Sequence, residues 1–167
     1  MMNDKGVYGT FHPEKVWFTA DTHFYSVKAM KCSRHPFSSV QEMNERLIRA
    51  WNKTVPPDGI VFHLGDFGNG SPRTWRIIRQ QLNGTIYLVL GNHDLEKVKN
   101  EYMSNFAHVT QQMIIMVGGQ RIFLNHCPLL CYPGSCRKTW QLFGHVHSGP
   151  LSTKGNDLPR LVNLMPR

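Results

Sequence analysis

Histidine, aspartate and asparagine residues cluster in a few short motifs of this 167-residue chain. The motifs are Asp21-Thr22-His23, Gly65-Asp66, Gly91-Asn92-His93-Asp94, His126 and Gly144-His145-Val146-His147. Their carboxylate, amide and imidazole groups suit zinc, manganese or iron(II) rather than a soft metal. One ion cannot use so many ligands, so the motifs predict two ions that share a bridging carboxylate.

The spacing within the motifs suggests how their side chains converge. Asp21 and His23 are two residues apart, so on an extension of a strand both side chains would face the same way. His145 and His147 have the same spacing. Asp66 follows a glycine, which would let its two carboxylate oxygens approach two cations.

Each motif follows an apolar run that is typical of a strand. The runs are 16–20, 60–64, 86–90, 121–124 and 140–143, and each one stops where Asp, Asn or His appears. In α/β sheets, ligands bind outside the carboxyl ends of the strands. The sequence therefore predicts one composite site, built at five strand ends.

Helical patterns lie between these runs and indicate an α/β fold. Ser39 and Glu42 predict a capping box at the start of a helix. The predicted buried residues of that helix are Val40, Met43, Leu47 and Trp51. Ser71-Pro72 predicts the start of a second helix, and its predicted apolar face is Trp75, Ile78 and Leu82. A shorter helix is expected over 95–103, and a hairpin is expected from 113–117 and 121–124.

The length and composition favour one globular domain over residues 1–167. Hydrophobic residues make up 41% of the chain, which argues against disorder. No apolar run approaches the roughly 20 residues that span a membrane. The first residues lack the apolar core of a signal peptide, so we expect a cytoplasmic protein.

Nineteen Lys and Arg against eleven Asp and Glu give a net charge of +8. Such an excess favours a nucleotide or nucleic acid as partner, although a solvated basic surface explains it equally well. Two basic groups follow motif loops and could meet phosphates. They are Lys28, Lys31 and Arg34, and Arg73, Arg76 and Arg79 on the second helix, opposite its apolar face.

The remaining histidines and the cysteines have simpler interpretations. His63 lies inside an apolar strand and is expected in the core, whereas His12, His35 and His108 are expected in loops or on the surface. Cys127, Cys131 and Cys136 are spaced irregularly for a zinc module, which stays open as a weaker alternative. Without a signal peptide, reduced thiols are the expectation.

Taken together, the motifs resemble the calcineurin-like metallophosphoesterase family in type and order. The segments 17–24, 36–37 and 63–67 are also similar to a small bacterial and phage-borne subgroup of predicted phosphoesterases. The resemblance implies a β-sandwich of two mixed sheets flanked by helices, with metals at one edge. Relatives usually continue into a further strand after the last motif, so either this chain is truncated after Arg167 or its sandwich is completed differently.

The resemblance also implies a role for each motif residue. The first metal would be held by Asp21, His23, Asp66 and His147. Asp66 would bridge to the second metal, whose other ligands would be Asn92, His126 and His145. His93 would protonate the leaving group, and Asp94 would orient His93.

These roles describe a dinuclear phosphoesterase that hydrolyses a phosphomonoester or phosphodiester. A water between two cations about 3.5–4 Å apart becomes a hydroxide nucleophile near neutral pH, and an imidazole can donate a proton there. Manganese is the expected metal, with iron(II), zinc or nickel as alternatives. A non-catalytic metal-binding scaffold of the same fold remains the alternative function.

Overall fold

A computed structural model describes residues 6–32, 37–97 and 99–147. Within these ranges the strands are β1 (Gly9–Phe11), β2 (Val16–Thr19), β3 (Ile60–His63), β4 (Thr85–Val89), β5 (His108–Thr110), β6 (Gln112–Val117), β7 (Gln120–Asn125) and β8 (Trp140–Leu142). The helices are α1 (Val27–Cys32), α2 (Val40–Thr54), α3 (Pro72–Gln81), α4 (Asn92–Leu95) and α5 (Asn100–Met103). A short 3-10 turn covers Pro13–Lys15.

One sheet has the order β2-β3-β4-β5 and is parallel throughout its described strands. Both of its faces are covered, which explains why its strands are nearly continuous apolar runs. Phe18 and Phe62 point into the core between the two sheets, whereas Trp17, Val61 and Leu88 point towards the helices. Because the strands are parallel, the loops after β2, β3 and β4 leave from the same edge.

The second sheet has the order β1-β6-β7-β8 and is mixed. The hairpin of β6 and β7 is antiparallel, and β8 pairs parallel to β7. Met113, Ile115 and Ile122 fill the core between the sheets. The sandwich predicted from the family resemblance is confirmed, with one mixed sheet and one parallel sheet.

The two longest helices begin as the sequence predicts. The Ser39 hydroxyl accepts a hydrogen bond from the Glu42 N–H at 3.1 Å, and Ser71 does the same for Thr74 at 3.3 Å. Both helices pack on the outer face of the parallel sheet, through Met43, Leu47, Trp51, Trp75 and Ile78.

The prediction of a single helix over 95–103 is wrong. Helix α4 begins earlier, at Asn92, and α5 begins only at Asn100. Leu95 is 48% exposed, so the first part of this segment is not held against the core, whereas Tyr102 and Met103 in α5 do pack against it. The strands β1 and β5 and the helix α1 lack a clear sequence pattern and were not expected.

None of the helices within the described ranges is both long and apolar enough to cross a membrane.

Trp75 anchors α3 beside the loop that carries Asp66. Its ring lies 4.9 Å from Phe67 and 5.2 Å from Tyr102 between ring centroids, and only 1% of Trp75 is exposed. We expect Trp75→Ala to lower the free energy of unfolding by about 3–5 kcal/mol, because it leaves a cavity. Ile77→Ala, at an exposed position of the same helix, should cost no more than about 0.5 kcal/mol. Urea unfolding of both variants measures the difference, and equal losses would contradict this packing role.

Candidate metal centre

The predicted site residues lie at the carboxyl ends of five strands. Asp21 and His23 follow β2, Asp66 follows β3, and Asn92 begins α4 after β4. The other sheet supplies the remaining side chains, which are His126 after β7 and His145 and His147 after β8. The loops of both sheets therefore meet at one edge of the sandwich.

Asp21, His23, Asp66 and His147 form one group. Their potential ligand atoms all lie within 4.8 Å of one another. His23 Nε2 is 3.2 Å from His147 Nε2 and 3.6 Å from Asp66 Oδ2. His147 Nε2 is 3.5 Å from Asp21 Oδ1. This is the set that the family resemblance assigns to the first metal.

Asn92, His126 and His145 form a second group, which also reaches Asp66. Asn92 Oδ1 lies 3.0 Å from both His126 Nε2 and His145 Nδ1. His126 Nε2 lies 3.5 Å from Asp66 Oδ2. The Asp66 Oδ2 atom thus stands between the two groups, as a bridging ligand would.

The donor set of this edge fits divalent cations. His126 Nδ1 donates to the Leu64 carbonyl at 2.7 Å, so in neutral His126 the Nε2 atom carries the lone pair. That lone pair faces the oxygens of Asn92 and Asp66. Converging acceptors repel one another unless a proton or a cation lies between them. Nitrogen and oxygen ligands of this kind suit zinc, manganese or iron(II).

The loops that carry the ligands adopt an unusual backbone conformation. The φ angles of Asp21, His23, Asp66 and His145 are 54°, 44°, 56° and 68°. The left-handed region costs a residue with a Cβ on the order of 1 kcal/mol or more. The expectation that Asp21 and His23 lie on an extension of a strand is therefore wrong, although their side chains do converge.

Hydrogen bonds between the loops compensate for this cost. The backbone N–H groups of Asp21 and His23 donate to the carbonyls of Gly65 and Asp66 at 2.9 and 3.0 Å. The N–H of His145 donates to both carboxylate oxygens of Asp21, at 3.1 and 3.0 Å. The first loop is thus fixed to loops from both sheets.

Asp94 connects the loop after β3 with the loop after β4. Its side chain is fully buried, and Oδ2 accepts from the N–H groups of Asp66 at 2.7 Å and Gly91 at 3.0 Å. Oδ1 accepts from the N–H of Phe67 at 3.0 Å. No hydrogen bond within the described residues joins this carboxylate to the His93 imidazole. The contacts place Asp94 beneath the ligands as a positioning residue.

Gly65 and Gly91 let these two loops approach each other. A Cβ on Gly91 would collide with the side chain and backbone N–H of Asp66. A Cβ on Gly65 would lie 2.6 Å from the Gly91 nitrogen. The two loops can therefore pack this closely only because Gly65 and Gly91 have no side chain.

His93 lies at the open side of the centre. Its side chain is exposed, and its ring centroid is 5.4 Å from that of the buried His23. The His93 N–H donates to Asp66 Oδ1 at 2.9 Å, which fixes the backbone of His93 relative to the Asp66 carboxylate. His93 can therefore face a molecule that approaches the metal ligands from solvent.

His63 is buried beneath the site, as expected for a core histidine. The Thr22 hydroxyl donates to the Phe67 carbonyl at 2.7 Å, so His63 Nε2 must donate to that hydroxyl across 2.9 Å. Its Nδ1 has no hydrogen-bond partner among the described residues. His63 is therefore neutral, and burial lowers its pKa to about 3.

The protonation of the ligand side chains follows from their surroundings. In the metal-free protein, burial opposes the charge of Asp66, but protonated His126 and the hydrogen bond from the His93 N–H lower its pKa to about 2. Burial lowers the pKa of His23 to about 4. Asp66 is thus ionised and His23 neutral near pH 7, which are the forms that bind a cation.

Cys127 lies beside the second group, which the sequence did not indicate. The ligand atoms of His126, Cys127 and His145 lie within 4.8 Å of one another. Cys131 and Cys136 belong to no such cluster among the described residues, so the zinc module of three cysteines gains no support. The sequence feature that could have indicated this position is that Cys127 directly follows His126.

Among the other candidates, Arg79 differs from its predicted role. Its guanidinium is half-buried and donates to the carbonyls of Leu82 at 2.9 Å and Gly84 at 2.5 Å, which closes the end of α3. Arg73, Arg76, Lys28 and Lys31 are exposed, as expected.

The histidines that were expected on the surface have mixed outcomes. His12 is exposed, but His108 lies half-buried on β5, with its ring 4.5 Å from that of Tyr8. His35 and Arg34 lie outside the described residues.

Comparison with known proteins identifies the family. The sequence profile of calcineurin-like phosphoesterases matches residues 14–149, which include every predicted ligand. The chain belongs to the calcineurin-like phosphoesterase family. It is accordingly a hydrolase, a metal-dependent phosphoesterase, and its family normally uses two divalent metal ions.

Two curated relatives are similarly small proteins. An uncharacterized protein of Methanocaldococcus jannaschii is 32% identical over 139 residues, which are 82% of this chain and 72% of that protein. The gene 66 protein of Mycobacterium phage L5 is 29% identical over 163 residues, with 79% and 77% covered. The second relative agrees with the phage-borne subgroup indicated by the sequence.

Two solved structures share the fold. A protein of unknown function from Aquifex aeolicus has a TM-score of 0.51 and 30% identity, covering 68% of this chain. The Pseudomonas putida nuclease MPE has a TM-score of 0.52 and 20% identity, covering 80% of this chain. The chain spans about three-fifths of each of these proteins, 60% and 61% respectively.

Asp94→Asn tests how the loops are held together. An amide offers one acceptor oxygen in place of two, so at least one buried N–H loses its partner, at a cost of about 1–3 kcal/mol. We expect that loss in urea unfolding, together with weaker manganese binding in calorimetry. Asp58→Asn removes an exposed carboxylate that pairs with Lys15 and should cost no more than about 1 kcal/mol. Unchanged stability and metal affinity in Asp94→Asn would contradict this role.

His63 should make the metal-free protein less stable in mild acid. Below its ordinary pKa of 6.5, the unfolded state takes up a proton that folded His63, with a pKa of about 3, does not accept. Stability therefore falls as the pH decreases, and at pH 5 this contribution is about 2 kcal/mol. Between pH 7 and pH 5, we expect the free energy of unfolding of His63→Gln to fall by about 2 kcal/mol less than that of the wild-type protein. An equal loss in both proteins would show that His63 is not the source.

Proposed function

We propose that this protein is a dinuclear phosphoesterase that cleaves phosphodiester bonds of nucleotides or nucleic acids. The observation that carries the proposal is the position of Asp66 Oδ2 between two groups of ligands, 3.6 Å from His23 Nε2 and 3.5 Å from His126 Nε2. Two bound divalent ions would activate water and neutralise the charge of the phosphate. Manganese is the metal that we propose to test first.

The ligands divide between the two ions according to their contacts. Asp21, His23 and His147 would hold the first ion. Asn92, His126 and His145 would hold the second. Asp66 would be shared, and the hydrogen bond from the His93 N–H favours its ionised form.

His93 is the proposed general acid. It is exposed beside the buried ligand His23, so its imidazole can reach the leaving oxygen of a substrate that lies over the ligands. Its backbone is fixed by the hydrogen bond to Asp66. Asp94 would act on His93 only indirectly, by holding the turn that begins at Gly91.

The charge of the chain supports an anionic polymer as substrate. Lys28 and Lys31 are exposed on α1, which begins four residues after His23, and Arg73 and Arg76 are exposed on α3 after the Asp66 loop. The nuclease from Pseudomonas putida shares this fold. Both observations favour a phosphodiester over a small monoester.

Replacing His93 should reveal a general acid through the leaving group. We expect His93→Ala to lower kcat about 10²–10⁴-fold on a dinucleotide, whose alkoxide leaving group needs a proton. The loss should be much smaller on bis-p-nitrophenyl phosphate, because nitrophenolate leaves without one. Metal content, measured by mass spectrometry, should not change. Equal losses on both substrates would contradict the assignment.

Asp66→Ala separates the enzyme from a metal-binding scaffold. Removing the bridge exposes the two cations to each other, so we expect both ions and all turnover to be lost. The scaffold alternative predicts a metal-loaded wild-type protein without turnover of monoesters, cyclic nucleotides, dinucleotides or single-stranded DNA and RNA. Metal-dependent turnover of any of them excludes the scaffold.

Salt dependence tests the nucleic-acid preference. Each phosphate contact releases counterions, so kcat/KM on an oligonucleotide should fall steeply between about 50 and 200 mM salt. Small aryl phosphates should respond far less. In a plot of log kcat/KM against log salt concentration, Arg76→Gln should reduce the steepness of the slope by about one. Arg49→Gln makes the same charge change on α2 and should leave the slope unchanged. An equal salt response for both substrates would leave a phosphoesterase without this preference.

A further inference from the structure

We propose that Cys127 is a thiolate ligand of the second metal ion. The inference rests on the dinuclear centre proposed above and adds a residue that none of the motifs contains. Its sulfur, one imidazole nitrogen of His126 and one of His145 lie within 4.8 Å of one another. Those two imidazoles also share Asn92 Oδ1 at 3.0 Å. The sulfur is thus close to two imidazoles that would hold the second ion.

The backbone around Cys127 is held in place. The Asn125 side-chain amide donates to the Cys127 carbonyl, and the Asn125 Oδ1 atom accepts from Gln141 Nε2 at 2.8 Å. Gln141 lies on β8, the strand that leads to His145. These hydrogen bonds therefore link the position of Cys127 to the strand that leads to His145.

The charges of the two groups favour an additional anion at this place. Two divalent ions bring four positive charges, whereas the carboxylates in the two groups are those of Asp21 and Asp66. The carboxylate of Asp94 is occupied by three backbone N–H groups. A thiolate on the second ion would offset part of the excess and add a soft ligand to that site alone. The two sites would then differ in metal preference, with a softer ion such as zinc on the Cys127 side.

Cobalt(II) is the probe that reports a bound thiolate directly. The wild-type protein, loaded with two equivalents of cobalt(II), should show an intense sulfur-to-metal charge-transfer band in the near ultraviolet. We expect this band to disappear in Cys127→Ser and Cys127→Ala and to persist in Cys131→Ser, the matched control in the same loop. Cobalt content is measured in each sample, and circular dichroism confirms that each variant is folded.

A second measurement uses the unmodified chain. Bound cobalt(II) or zinc should slow alkylation of Cys127 by iodoacetamide at least about tenfold and leave Cys131 unaffected, as read by peptide mass spectrometry. Two bound cobalt ions without the band, or a band that persists in Cys127→Ser, would overturn this inference and leave the dinuclear centre standing. Failure to bind cobalt or manganese at all would overturn both.

Discussion

The carboxylate of Asp94 is the contact on which the geometry of this site depends. It lies fully buried beneath the ligands and accepts hydrogen bonds from the backbone of Asp66, Phe67 and Gly91. Burial raises its pKa to about 6, against the effect of these hydrogen bonds, so the ionised form is retained at neutral pH. The carboxylate of Asp66 and the turn of Asn92 and His93 are thus positioned by one side chain.

The same contact requires the backbones to lie very close together. Gly65 and Gly91 face each other where a Cβ would collide, and Asp66, directly after Gly65, adopts a left-handed backbone conformation. This strain persists because hydrogen bonds connect the loops with one another and with the second sheet. A strained backbone at converging polar groups is typical of functional sites, where it fixes the ligands before the ion or substrate binds.

The sequence predicts the parts of this architecture that depend on local patterns. The capping residues Ser39 and Ser71 and the apolar stripes behind them specify α2 and α3. The apolar runs that end at the motifs specify the strands, because both faces of the parallel sheet are covered. The position of each motif directly after a predicted strand was enough to predict that the motifs converge. The division of the ligands between two ions came from the family resemblance.

The remaining features depend on contacts between distant residues. Asp94 appeared beside His93 in sequence, but its partners include Asp66 and Phe67 from another loop. Arg79 looked like one of three equivalent arginines until its carbonyl partners at Leu82 and Gly84 were visible. The proximity of Cys127 to His145 likewise depends on the pairing of β7 with β8. Periodicity and spacing carry no information about such pairings.

In the proposed centre, one carboxylate, that of Asp66, lies between two metal ions whose other ligands come from both sheets. A crystal of the manganese-loaded protein, measured at a wavelength with a strong manganese anomalous signal, tests it directly. We expect two anomalous peaks about 3.5–4 Å apart, one among Asp21, His23 and His147 and the other among Asn92, His126 and His145. A single peak, or peaks that do not share Asp66, would contradict it.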